Sequence, residues 1–173
     1  MTLPFSTHWP SKMPSEIANS PNQFVEKIWR SLPGDIVDKE FDKYLPKLQA
    51  LGCPLANSFI DLKPKIHTIR KGHRFKEGDW IHPVIYNRTK NRFQFAPTFG
   101  CTGIQTISIT YGKYLCDWYG STPTIFIDGG AVDYRTIERL AIADGFPDIK
   151  SFIYWFDQDI EGQIIHWTNT RYQ

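Results

Sequence analysis

The sequence predicts an α+β protein in which a mixed sheet or small barrel is flanked by segregated helices. Three observations carry this. Apolar residues recur at helical spacing in two segments before residue 52 and in two more between 133 and 156. Between 66 and 111, and again at 122–128 and 163–168, short apolar or alternating segments are bounded by turn signals, as strands are. The 173 residues, 41% hydrophobic and 22% charged, suffice for one domain with a sizeable core and fit neither a disordered nor a membrane-spanning chain.

The elements follow in order. Residues 3–9 form a short strand, and 10–22, rich in Pro, Ser and Asn, a loop. A helix over 23–32 places Phe24, Ile28 and Leu32 on one face beside Val25 and Trp29, and Pro33-Gly34 stops it. A second helix over 35–52 carries Val37, Phe41, Tyr44, Leu45, Leu48 and Leu51; Pro46 is expected to kink or divide it, and Gly52 and Pro54 to end it. After a connector at 57–64, residues 66–70 alternate as a half-buried strand and 71–78 form a polar loop. The strand at 80–86 contains Pro83, which implies an edge or a bulge. A short strand at 92–95 follows, then a longer one at 102–111 with a bulge expected near Gln105.

Residues 122–128 form another strand, and Gly129-Gly130 is a turn, with no glycine-rich phosphate motif around it. Asp133 caps a helix running to about Ala143, whose stripe is Ile137, Leu140 and Ala141, and Gly145 closes it. A last helix over 148–156 presents Ile149, Phe152, Ile153 and Phe156, and 163–168 is the closing strand. There is no internal repeat.

Charge is distributed unevenly. The net charge is +2, yet 63–92 holds nine basic residues (Lys63, Lys65, Arg70, Lys71, Arg74, Lys76, Arg88, Lys90, Arg92) against Glu77 and Asp79. That segment is therefore +7 and the remainder −5. His67, His73, Phe75, Trp80, His82 and Tyr86 are interleaved with these charges, a composition suited to phosphate contact and base stacking. Trp9 is a further candidate stacking residue, whereas Trp29, Trp155 and Trp167 are assigned to the core. The three cysteines, Cys53, Cys101 and Cys116, are widely spaced and read as reduced thiols of a cytoplasmic protein. No apolar run reaches the roughly 18 residues of a membrane span, and no signal-peptide core follows Met1, so no membrane association is expected. His67, His73 and His82 lack metal-ligand spacing, and neither a metal nor a cofactor is expected.

The most specific segment is Lys63-Pro64-Lys65-Ile66-His67-Thr68-Ile69-Arg70, followed by Phe75-Lys76-Glu77-Gly78-Asp79. Side chains two apart on a strand share a face, so Thr68 and Arg70 lie together. His67 and Ile69 lie opposite. Lys65, after a proline at the strand's entrance, is free in direction. With Lys65 and Lys71 at the ends, Thr68 and Arg70 make a basic, hydrogen-bonding surface for a phosphate or a polar base.

This pattern resembles the ASCH family, relatives of the PUA domain. Its signature is a lysine, a threonine three residues on, an arginine two further, and a loop ending in Gly-Asp: here Lys65, Thr68, Arg70, Gly78 and Asp79. The segment from Ile137 through Phe156 looks like the family's helical insert, and Gln163-Ile164-Ile165-His166-Trp167 like its closing strand. The chain is similar to uncharacterised ASCH-like proteins of phage and bacterial genomes. It differs in having Lys63 where the family usually has glycine, and in an added helical stretch at 33–62.

The resemblance implies a single domain over 1–173, a PUA-like small mixed β-barrel with flanking helices and a helical insertion at about 33–62. It implies a cleft for RNA or a modified nucleotide, with Trp9, Lys65, His67, Thr68, Arg70, Lys71, His73 and Arg74 as binding residues. Some compact members are amidohydrolases that remove the acetyl group from N-acetylcytidine, using a Lys, a Thr and a Glu. The first two match Lys65 and Thr68, and the third falls on Asp144, one methylene shorter. Such a trio is chemically sensible. A desolvated lysine can activate a hydroxyl, and a carboxylate can orient water. A third expectation is an interaction protein that uses the apolar face of the 33–62 insertion to bind a protein partner.

Overall fold

The computed structural model describes residues 1–58, 61–112 and 123–173. Within these the fold is α+β, with four helices and two sheets. The first sheet is built around β3 (Trp80–Ile85). It pairs in parallel with β1 (Thr2–Pro4) on one edge and antiparallel with β4 (Phe93–Gln94) and β5 (Phe99–Gly100) on the other. The second has the order β2 (His67–Lys71), β9 (Ile160–His166), β6 (Gly103–Thr110), β7 (Thr124–Ile127), β8 (Gly130–Ala131), with every pairing antiparallel. The closing strand β9 is thus the second strand of its sheet, held between β2 and β6.

The expected small barrel is not closed. The two sheets have separate hydrogen-bond ladders, and the described strands β1 and β8 end theirs. The first helix, α1 (Phe24–Trp29), is shorter than the apolar pattern, because Ser31 and Leu32 turn back onto Ile28 and Trp29. The second, α2 (Gly34–Ala50), is one continuous helix. Pro46 neither divides nor ends it. Its apolar side faces inward. Phe41 and Tyr44 pack edge-on against Trp29 at 5.1 and 5.4 Å between ring centroids, Tyr44 also meets Phe93, and Leu48 is fully buried. The rest of that face stays half-buried, and Phe41 and Leu45 line an open groove of about 860 Å³ together with Cys53 and Leu55.

Pro83 lies in the central strand of its sheet, not at an edge. Its carbonyl accepts from Phe95 N–H in the gap between β4 and β5, where no ladder donor is needed. No bulge occurs at Gln105, since β6 pairs with β9 without interruption from Gly103 to Ile109. Gln105 falls on the buried face because its amide bonds the backbone of Tyr172 in both directions, Nε2 to O at 2.7 Å and N to Oε1 at 2.9 Å. Strand β8 was not legible. It exists because Asp128 and Gly129 adopt positive φ (49° and 81°) and close a two-residue hairpin onto β7. Cys53 and Cys101 are buried free thiols; Cys116 and Thr122 lie outside the described residues.

The late helices agree with their caps. Asp133 accepts from Thr136 N–H at 2.8 Å and starts α3 (Tyr134–Ala143). Asp148 accepts from Ser151 N–H at 2.6 Å and starts α4 (Ile149–Trp155). The end of α3 is a Schellman turn, with Phe146 N–H to Ala141 O and Gly145 N–H to Ile142 O, both 3.0 Å. That turn positions the candidate site.

Candidate functional site

The site forms where four distant stretches of chain meet: β1 and its following turn, α1, the entrance of β2, and the end of α3 with α4. They enclose a cavity of about 140 Å³. Phe5, Phe24, Phe146, Trp155 and Phe156 line it, with Ser6, Lys65, Thr68, Arg70 and Asp144 as its polar members. Few convergent polar groups among aromatic walls is the usual make-up of a small-molecule site.

The backbone explains how Lys65 arrives there. Lys65 N–H donates to Lys27 O and Ile66 N–H to Ala143 O, both at 2.9 Å, so the residues before β2 are pinned between α1 and α3. The strand begins only at His67, which leaves Lys65 outside its alternation. Its side chain consequently joins the Thr68 and Arg70 side, not that of His67. The ammonium donates to both the carboxylate and the backbone carbonyl of Asp144. Lys65 and Asp144 are 1% and 2% exposed, so the pair is sealed from water. Thr68 lines the same cavity and is also buried.

Burial dominates the electrostatics. It lowers the Lys65 ammonium to about 8, against the pull of Asp144, and it raises the Asp144 carboxyl despite Lys65, Arg70 and Thr68. Burial thus works on both groups against the ion pair that their contact favours. Cation–π contacts add to the setting. The Lys65 Nζ sits 4.7 Å from the Phe24 ring centroid, and the Arg70 guanidinium lies 5.3 Å from that of Phe5. Arg70 also donates to Pro4 O, which ties β1 to β2 at the rim. Lys27 completes the frame, donating to Gly145 O at 2.8 Å.

The expected residues divide into three groups. Lys65, Thr68, Arg70 and Asp144 come together at one cavity. Lys71, His73 and Arg74 are exposed and do not line it. Two are corrected by the structure. Trp9 is buried, packed against Phe24, Phe146 and Trp155 at 5.2, 5.3 and 5.8 Å, and offers no free face to a base; it backs the cavity wall. His67 is buried on the other face of β2, its Nε2 2.7 Å from the Tyr172 hydroxyl and its Nδ1 3.8 Å from the Asp144 carboxylate. It cannot touch a ligand in the cavity and instead backs Asp144. His166 lies beside it, 5.4 Å between ring centroids, with neither nitrogen hydrogen-bonded among the described residues.

The aromatic walls were missed as site residues. Phe24 and Phe156 read as helix core from their spacing, and Phe146 follows the Gly145 cap with no motif of its own. Comparison with protein-family models, curated proteins and solved structures returned no match. Fold and site together define the chain as an α+β protein with a buried ionic cavity.

Proposed function

We propose that the cavity holds one nucleobase-sized group of a nucleoside or nucleotide, as the small-molecule pocket of an ASCH-like, PUA-type domain. The observation that carries this is the convergence of Lys65, Thr68, Arg70 and Asp144 on one small cavity with aromatic walls. A volume of about 140 Å³ corresponds to four or five waters at about 30 Å³ each, enough for one ring with a small substituent and too little for a folded polymer. Aromatic walls favour a flat ring. The Thr68 hydroxyl and the Lys65–Asp144 pair supply donors and an acceptor for its polar edge, and Arg70 at the rim suits a phosphate.

The test is calorimetric titration with cytidine, N-acetylcytidine and cytidine monophosphate. Saturable binding that weakens about tenfold in Thr68→Val and in Arg70→Gln is expected. No binding at millimolar ligand, or binding indifferent to both substitutions, ends the proposal.

A second reading is hydrolysis of a small N-acyl group on such a base, favoured specifically by the Lys65–Asp144 pair with Thr68 at the same cavity. Neutral Lys65 takes the Thr68 proton as Thr68 Oγ bonds to the acyl carbon. The protonated lysine returns the proton to the departing amine. Lys65, neutral again, takes a proton from water held by Asp144 as the hydroxyl bonds to the acyl carbon, and passes it to Thr68 Oγ as the Oγ–acyl bond breaks and the acid leaves. Incubation with N-acetylcytidine and chromatography for cytidine decides it. Absence of turnover in both the wild type and Asp144→Glu would exclude it.

A further inference from the structure

The outer face of the first sheet has a composition that the cavity does not use. Along β3, side chains alternate between faces. Ile81, Pro83 and Ile85 turn inward and are buried; Trp80, His82 and Val84 share the other face, where Trp80 is exposed, His82 half-buried and Val84 fully buried. Trp80 is 65% exposed, the most exposed large apolar side chain among the described residues. Across the ladder, His82 pairs with Thr2 and Trp80 with Gly100, so no bulky neighbour covers the indole from that side.

A polar network extends the surface beside the tryptophan. Arg92 Nη2 donates to Thr2 Oγ1 at 3.3 Å, which lays the guanidinium over the β1–β3 ladder. His82 Nδ1 meets Thr98 Oγ1 at 3.1 Å, and Gln94 Nε2 donates to the same hydroxyl at 3.2 Å. Arg92 with Thr2, and His82 with Thr98 and Gln94, therefore add hydrogen-bonding groups to the sheet that carries the exposed indole.

A lone surface tryptophan would need no explanation, but the charge supplies a second and independent observation. From Trp80 to Cys116 the sequence contains no Asp or Glu, and none occurs before Glu16. Every strand of this sheet is consequently free of carboxylates. The β3–β4 turn carries Arg88, Lys90 and Arg92, all exposed, and none of them is in an ion pair with a described residue. Glu77 and Asp79, in the loop before β3, bound the patch at the Trp80 end, and Asp79 is turned back onto Lys76 N–H at 2.8 Å. The surface thus runs from an aromatic platform to three uncompensated cations. That order suits a chain with flat bases and a charged backbone.

We propose that this outer face binds single-stranded nucleic acid, a base stacking on Trp80 and the phosphates running toward Arg92, Lys90 and Arg88. Stacking is sequence-tolerant because every base has a π-face, and exposed unpaired cations gain from counterion release. The surface is separate from the cavity and does not depend on what the cavity binds.

The experiment is fluorescence anisotropy of labelled 12-mers of oligo(U) and oligo(dT), and of a duplex of equal length, at 50 and 200 mM salt. Binding to the single strands is expected, with the duplex weaker. Trp80→Ala should weaken single-strand binding about tenfold or more. Arg92→Ala should lower the salt slope by about 0.7. Thr68→Val should leave both unchanged. Preference for oligo(U) over oligo(dT) would assign RNA, and equality any single strand. Absence of single-strand binding overturns the proposal. So does affinity unaltered by Trp80→Ala, or duplex binding of equal strength and salt slope, which would reduce the face to general polyanion attraction.

Discussion

Lys65 and Asp144, 79 residues apart in sequence, form an ion pair closed off from solvent at the junction of β2 and α3. Removing one partner leaves the other charge buried without compensation, at a cost of about 3–5 kcal/mol. Lys65→Met and Asp144→Leu should each lower the urea midpoint substantially. The double variant should recover much of the loss, because two apolar side chains need no partner. Denaturation curves of the three variants and the wild type test this, and additive losses would contradict the coupling.

Acid should unfold the protein earlier than carboxylate titration alone would require. Burial depresses His166 to about 4 and holds His67 well below its usual range. The unfolded chain takes up protons at these sites near pH 6.5, while the folded chain resists until about 4. Stability is therefore highest above pH 6.5 and falls as pH drops toward 4, by up to about 3 kcal/mol for His166 alone at about 1.4 kcal/mol per pH unit. Urea midpoints between pH 7.5 and 4.5 should show this slope, and His166→Phe should flatten it.

If the cavity hydrolyses an N-acyl nucleoside, the rate depends on neutral Lys65. Burial sets that group at about 8, so kcat/KM should rise with pH and level off above about 8. Asp144→Asn removes the opposite charge that favours the ammonium and should move the inflection to lower pH. A pH–rate profile that is flat from 6 to 9 contradicts this role for Lys65.

Three glycines should rank by what a methyl group would meet. A Cβ at Gly162 would lie 2.2 Å from Arg70 O, a backbone atom in the neighbouring strand, so Gly162→Ala should fold poorly or not at all. At Gly145, with φ of +91°, it would lie 3.0 Å from the Phe24 ring and 3.2 Å from the Lys65 side chain. That substitution should cost more than the roughly 1 kcal/mol of positive φ alone and should weaken ligand binding. At Gly103 the obstacle is the end of the Arg171 side chain, which can move away, so Gly103→Ala should be mildest. Thermal melts of the three give the order.

Local chemistry was legible in the sequence; the closure of the site was not. Asp133 and Gly145 announce their caps because each acts within four residues. Lys65, Thr68 and Arg70 were readable as neighbours because they share a short segment, and Asp144 only through the resemblance. Trp9 and His67 were misjudged because polarity and aromaticity do not report burial. Trp9 is held by rings from α1 and from the end of α3 with α4, and His67 by a tyrosine 105 residues away. The open sheets replace the expected barrel for a similar reason, since closure depends on which strand edges meet and not on strand patterns themselves.

The placement of β9 bears on how the protein is made. Strands β2 and β6 never touch as neighbours; each pairs with β9, which follows them by some fifty residues or more. A growing chain must hold both edges open until residue 166 has been synthesised. Such late, long-range pairing slows folding and leaves apolar strands exposed in the interim. In cells, yield should therefore depend on chaperone supply more than on the stability of the finished fold.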